Sequence, residues 1–312
     1  MWSANQPGFR FVQAEPGTPA FFTDVERHRY QLEPHILEVV RFARWGGKDV
    51  LEAGCGIGTD GIRFARNGAR YFGVDFAADA VALARSRFEL EEREGTFVQA
   101  DILELPFEDE SFDLVYSHGV IHHFADTQRA VDEFYRVLRP GGHALVMVYH
   151  RNSLNYWFTI MVLRRALAAA LLIPGAVSGI ARVTGEDAEL LHEHRRLLSK
   201  HGLTYLFDNE LFLSRNTDGP TNTLSKAYTI GEMHRLFDKF GSVQTSVRYL
   251  NLRIYPGGNR IAKMSLARRL ERRIGWHLYV DAVKDAGVEE VSPNDQVLSR
   301  NVRDQISSES SA

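Results

Sequence analysis

Glu52, Asp75 and Asp101 each stand at or near the end of a short strand-like run, and a glycine turn, Gly54-Cys55-Gly56-Ile57-Gly58, separates the first from the second. Glycines at alternate positions let the backbone turn tightly and let a ligand lie directly on it. The helix expected from Thr59 would point its unpaired N–H groups and partial positive end into the same space. Such a turn suits a nucleotide-like cofactor. Gly56, Gly58 and Gly61 even satisfy the dinucleotide spacing G-x-G-x-x-G, with Asp75 placed as a ribose-binding acid. Glu52 argues against a dinucleotide, because a carboxylate there would repel a pyrophosphate and attract an ammonium group. Asp101, in Gln99-Ala100-Asp101-Ile102, offers an acceptor to an exocyclic amine.

A second group of reactive side chains follows the run Phe112–Ser117, in His118-Gly119-Val120-Ile121-His122-His123. Histidine titrates near neutral pH, so His122 or His123 is a candidate base or acceptor ligand; packing at a helix start is the plainer alternative. No third ligand at suitable spacing accompanies the pair, so no metal is expected. Tyr149 and His150 end another strand-like run and are expected to face an acceptor. Tyr30, next to Arg29, is a candidate to line the site from the N-terminal segment. Asn222, Lys226 and Tyr228 bring a donor, a cation and a phenol into one short polar stretch, either a plain loop or an acceptor contact. A Lys226 facing the pocket would suit an anionic acceptor. Cys55 reads as small buried packing.

These groups need elements to position them. Strand-like runs at Val50–Ala53, Tyr71–Val74, Thr96–Gln99, Phe112–Tyr116 and His143–Tyr149 alternate with helical patterns at Thr59–Asn67, Ala77–Glu92 and Thr127–Leu138. That alternation predicts a parallel sheet with crossover helices. Leu138-Arg139-Pro140-Gly141-Gly142 is expected to end the last of these helices in a turn. A charged helix is expected around Glu186–His201, then a helix near Ile230–Phe240 and strands at Val243–Leu250 and Trp276–Val283. The organisation expected is an N-terminal helical segment (1–45), a cofactor core (46–150), an acceptor-recognition or cap insertion (151–228), a completion of the sheet (229–285) and a disordered tail (286–312).

Bulk properties bound the function. The chain has 312 residues, 44% hydrophobic and 25% charged, as expected of a globular protein. A formal net charge of -3 gives no electrostatic footprint for nucleic acid, so no nucleic-acid partner is expected. A lone cysteine excludes an intrachain disulfide and fits a reducing cytoplasm, and Met1–Ala20 lacks the basic start and apolar core of a signal peptide. From Trp157 to Ala181 the chain is mostly apolar, but Arg164 and Arg165 cut it. Its longest uncharged piece, Ala166–Ala181, falls short of the roughly 20 residues needed to span a bilayer. A buried cap helix is expected there, with a surface touching lipid or a greasy substrate as the alternative. The oligomeric state is left open.

Taken together, the Glu52–Gly58 turn, Asp75, Asp101, the run Phe112–Ser117 and the Leu138–Gly142 segment resemble the class I S-adenosylmethionine-dependent methyltransferases, in particular the small-molecule enzymes with an E-x-G-C-G-x-G turn. The resemblance implies a Rossmann-like doubly wound α/β fold: a mostly parallel seven-stranded sheet with a reversed final hairpin and a largely helical cap. It implies that Asp75 accepts the ribose hydroxyls, that Phe76 and Ile102 flank the adenine and that Asp101 accepts from its amine. Glu52 and the Gly54, Gly56 and Gly58 backbone would hold the amino acid end, helped by the carbonyl of Ser117 or His118. The function expected is methyl transfer to a small, partly hydrophobic acceptor, with oxygen, sulfur and nitrogen nucleophiles all open. An S-adenosylmethionine-binding enzyme of other chemistry, such as aminopropyl transfer, is the alternative; a nicotinamide-dependent oxidoreductase or a noncatalytic module stands behind it.

Overall fold

The computed structural model describes residues 12–219, 221–252, 258 and 265–286. Eight strands form one sheet: β1 (Asp49–Ala53), β2 (Arg70–Asp75), β3 (Thr96–Gln99), β4 (Phe112–His118), β5 (Leu138–His150), β6 (Ala227–Tyr228), β7 (Ser242–Arg248) and β8 (His277–Val283). Their order is β3-β2-β1-β4-β5-β8-β7, with the two-residue β6 paired to β5 off this path. The pairs from β3 to β5 are parallel, whereas β8 runs antiparallel to both β5 and β7. This is the Rossmann-like doubly wound sheet with a reversed final hairpin, and β6 is an eighth strand beyond the seven expected. The strand order reverses between β1 and β4, where open α/β sheets bind ligands beyond the carboxyl ends of their strands.

Alternation along β1 shows how the layers form. Leu51 and Ala53 enter one buried cluster with Phe134 and Val146, while Val50 enters another with Phe64, Tyr71 and Phe88. Successive residues point to opposite faces, so both faces of the sheet are covered. The crossover helices are α3 (Gly61–Arg66), α4 (Ala78–Leu90) and α5 (Thr127–Val137), preceded by α1 (Pro19–Leu32) and α2 (His35–Val40). Thr18 caps α1 through the Phe21 N–H with Pro19 in the first turn, and Asp126 caps α5 through the Arg129 N–H.

The Leu138–Gly142 turn is corrected by the structure. Helix α5 stops at Val137, and Leu138 already pairs with Phe112, after which the register resumes at His143 opposite Leu114. Pro140 and the glycines therefore occupy a bulge inside β5, where a residue without an N–H is tolerated.

The segment after β5 is helical. A π-helix (Asn155–Arg164) leads to α6 (Arg165–Ala170), α7 (Ala176–Thr184), α8 (Ala188–His201), α9 (Thr204–Phe207) and α10 (Asn209–Asn216). Its apolar residues build a third core, in which Tyr156, Ile160, Met161, Leu191, Tyr205 and Phe212 meet Tyr149 of β5 and Ala227 of β6. Trp157, Phe158, Val162 and Leu163 face outward, so the expected buried cap helix has one buried side and one exposed side. Among the described residues no helix is long and apolar enough to cross a membrane. α11 (Ile230–Leu236) and α12 (Ser265–Ile274) are the last helices named among the described residues, and the tail expected over 286–312 lies almost wholly outside them.

Candidate active site

The glycine turn opens a cleft of about 400 Å³ at the carboxyl ends of β1, β2 and β4. Asp75, the last residue of β2, clamps the turn: its Oδ2 accepts the Gly56 N–H at 2.8 Å and its Oδ1 the Ala77 N–H at 2.9 Å. A carboxylate has about four lone-pair sites, so these two bonds leave room for a ligand hydroxyl. Beside it Phe76 is 68% exposed, an unusual state for a phenylalanine, and Ile102 lines the same cleft. Gly54 has φ +84°, and a Cβ there would meet Val120 Cγ2 at 2.3 Å. Close packing under the loop after β4 thus requires that glycine, in addition to any ligand above it.

Glu52 lines the cleft and is buried, and its Oε2 accepts the Tyr71 hydroxyl at 2.6 Å. Burial and the nearby Asp60 charge push its pKa up, against the Tyr71 bond and Arg29, which pull it down. A cationic group arriving in the cleft would favour the ionised form. Cys55 is buried and its thiol is pushed up by the same burial, in keeping with packing.

α1 crosses the turn and is pinned there by a buried carboxylate that sequence reasoning missed. Arg29 donates from Nε to Asp60 Oδ1 at 2.9 Å and from Nη2 to Oδ2 at 2.5 Å. The hydroxyls of Tyr30 and Tyr116 donate to the same carboxylate at 2.6 and 2.8 Å. Burial alone would raise the Asp60 pKa, but Arg29 and these bonds hold it well below the usual carboxylate range. Tyr30, expected to line the site, instead supports Asp60, and it is Arg29 and Asp60 that reach the cleft.

Glu33, just past α1, was also missed and lines the same cleft. Burial raises its pKa to about 7, with Arg29 partly opposing the rise. Deeper in, His118 accepts from Arg29 Nη2 at Nδ1 (3.3 Å) and meets the Tyr279 hydroxyl at Nε2 (3.0 Å). Burial and Arg29 push its pKa well down, so the ring is neutral. His35 and His277 lie 3.1 Å apart, ring nitrogen to ring nitrogen, and burial takes His35 down to about 3.

Farther along the same cleft, His123 and Asp218 line its wall. Tyr149 donates its hydroxyl to Asp218 Oδ1 at 2.7 Å and stacks between Trp276, 4.4 Å away, and His122, 4.0 Å away. Tyr149 therefore stands behind the cleft wall. His122 is fully buried.

Other expected residues lie outside the cleft lining. His150 is buried and faces the Gly275 carbonyl at 3.1 Å from Nδ1, just before β8 begins. Asn222 is buried and donates to Ser225 Oγ at 2.7 Å. Lys226 donates to the Ala125 carbonyl at 2.6 Å, which spends the cation on the turn before α5. The Tyr228 hydroxyl pairs with Thr127 Oγ1 at 2.7 Å. Ser117 donates to the Ala53 carbonyl at 2.9 Å, Gly58 packs against Ala84 and Phe88, and Asp101 accepts the Leu103 N–H at 3.0 Å in a turn.

The sheet order is that of a Rossmann-like doubly wound fold, with the cleft at its switch point. Residues 51–146 match the family described as "Methyltransferase domain", and the methyltransferases it resembles imply S-adenosylmethionine as the cofactor. A protein of Mycolicibacterium smegmatis named as a probable S-adenosylmethionine-dependent methyltransferase is 39% identical over 40% of this chain and 48% of its own length. Demethylmenaquinone methyltransferase of Thermus thermophilus is 38% identical over 39% of this chain and 61% of its own. A human protein named as a probable tRNA methyltransferase 9B is 30% identical over 54% of this chain and 36% of its own. The chain thus spans about half the length of the curated relatives it matches, and the family match ends before the cap insertion begins.

Proposed function

We propose that the protein transfers the methyl group of S-adenosylmethionine to a small, partly hydrophobic acceptor. The observation that carries this reading is one continuous cleft that joins Glu52, Asp75 and Phe76 at one end to His123, Phe124 and Asp218 at the other. When bound, the cofactor supplies a methyl group on a sulfonium cation. In this reading Asp75 takes the ribose hydroxyls, and Phe76 and Ile102 flank the adenine. Glu52, Gly54 and Gly56 hold the amino acid end, with Gly58 keeping the turn against α4. The Ser117 or His118 carbonyl assists there, and Asp101 takes the adenine amine beside its own turn. The residues of α1 and the cap exclude water and align the acceptor, which is most of what an in-line displacement needs.

The acceptor class is read from the cap. Its inner side is apolar and part of its outer side exposes Trp157, Phe158, Val162 and Leu163, which suits an acceptor with a greasy portion or a lipid surface that delivers one. The likeness to a demethylmenaquinone methyltransferase supports a quinone-type ring as one such acceptor. The single, buried Cys55 accords with work in a reducing cytoplasm.

Release of S-adenosylhomocysteine across a panel of hydroquinones, phenols, thiols and amines tests the reading. Release with an acceptor of partly apolar character is expected; tight cofactor binding without release on any member would favour other S-adenosylmethionine chemistry. Calorimetry tests the cofactor end: Asp75→Ala should weaken S-adenosylhomocysteine binding by at least about tenfold, through loss of charge-assisted bonds. Stronger binding of NAD than of S-adenosylmethionine would overturn the assignment.

A further inference from the structure

His122, His123 and Asp218 come together at the acceptor end of the cleft although the carboxylate is far away in sequence. One ligand atom from each lies within 4.8 Å of the other two. His123 presents Nδ1 to the Leu224 carbonyl at 2.8 Å and to Ser225 Oγ at 3.3 Å, and its Nε2 lies 3.5 Å from Asp218 Oδ2. A backbone carbonyl on one ring nitrogen is the contact that commonly orients a metal-ligating histidine. Asp218 is oriented in turn by the Tyr149 hydroxyl on Oδ1, while its Oδ2 is buried and accepts no hydrogen bond.

His122 supplies a second, independent observation. The residue is 0% exposed, and neither ring nitrogen has a hydrogen-bond partner. A buried polar group without a partner costs about 1–3 kcal/mol, and two such nitrogens on one ring need an explanation. Packing explains the position of the ring against Tyr149 but leaves its polar atoms unexplained.

We infer that His122, His123 and Asp218 form a binding site for a divalent transition-metal ion that opens into the cleft. Two imidazoles and one carboxylate are the donor set that suits Zn²⁺ or Fe²⁺ and leaves positions for an exogenous ligand. Tyr149 would orient the carboxylate and the Leu224 carbonyl the His123 ring. The use of the ion rests on the methyl-transfer reading, though its binding does not. An acceptor hydroxyl or thiol would bind as its anion, its proton leaving to solvent, and so would not require a separate base.

The full chain, stripped with a chelator, should take up a single Zn²⁺ in calorimetry, and Co²⁺ should give visible ligand-field absorption. His122→Asn and Asp218→Asn should each weaken uptake by more than about tenfold. Asp218→Asn retains an acceptor for Tyr149 and so guards against loss of folding in the buried histidine variant. Binding of S-adenosylhomocysteine, measured on each protein without metal, reports separately on the cofactor end. No saturable uptake, or uptake equal in wild type and both variants, overturns the metal site. Loss of S-adenosylhomocysteine binding in wild type with uptake intact would instead break the methyltransferase reading.

Discussion

Glu33 shows how position changes the chemistry of an ordinary side chain. Its carboxyl lies at the cleft wall, with Arg29 Nη1 at 4.0 Å and His277 Nε2 at 3.9 Å, and burial takes its pKa from 4.5 up to about 7. The folded protein therefore holds this proton more tightly than the unfolded chain between pH 4.5 and 7. Stability contributed by the protonated form is complete below pH 4.5 and is lost as pH rises through 7, by on the order of 3 kcal/mol. Thermal melts at pH 5 and pH 8 should show that loss in wild type, whereas Glu33→Gln should be flatter across the interval. An unchanged slope in the variant would mean that other groups set it. Nothing near Glu33 in sequence hints at this. His277, which approaches its carboxyl, lies far along the chain in β8. Glu52 and Asp75 were legible because they flank a glycine turn whose backbone needs are local. Asp60 was one step from legible: it follows Gly58-Thr59 directly, but its partners Arg29, Tyr30 and Tyr116 are distant in the chain.

Among elements, the parallel strands and crossover helices could be read from alternation and period, and the departures have local causes. The helix before β5 ends one residue early because Leu138 finds a strand partner in Phe112, which no propensity encodes. β6 is only two residues long, and its existence depends on β5 extending past the end of β4 to pair with it. The π-helix at Asn155–Arg164 is likewise invisible to a search tuned to the 3.6-residue period. Gly61 is the instructive case, since its spacing completes a dinucleotide pattern. In the structure a Cβ at Gly61 would meet Tyr71 Cζ and Oη at 2.4 Å, so the glycine serves the packing of α3 on β2. Gly61→Ala should cost about 1–3 kcal/mol by overpacking, seen as a lower Tm. It should also weaken S-adenosylhomocysteine binding, because Tyr71 holds Glu52. A variant as stable as wild type would show that the tyrosine ring can move aside.

At the scale of the whole molecule, two cores flank the sheet, a third lies inside the cap, and a small cluster of Phe21, Phe22, Val25 and Ile57 joins α1 to the glycine turn. The first two come from the parallel strands and their crossover helices, which the sequence pattern predicts. The third could not be assembled from sequence, because Tyr149, Tyr205, Phe212 and Trp276 are contributed by separate segments with no shared period. That distribution also explains the fate of the acceptor candidates. Asn222, Lys226 and Tyr228 are consumed in joining the cap to the sheet, and Asp218, from the same stretch, is the residue that reaches the cleft. The cap thus contributes a carboxylate where a cation was expected, and the preference for an anionic acceptor argued from Lys226 loses its basis.

The one cysteine of the chain, Cys55, is 4% exposed and lies within the glycine turn itself. Since no other thiol competes, its rate of reaction with a colorimetric disulfide reagent is a clock for the opening of that turn. The reaction should be slow in the native protein, fast in denaturant, and slower still with S-adenosylhomocysteine present; a rate indifferent to the ligand would mean that the turn opens without involving the cofactor cleft.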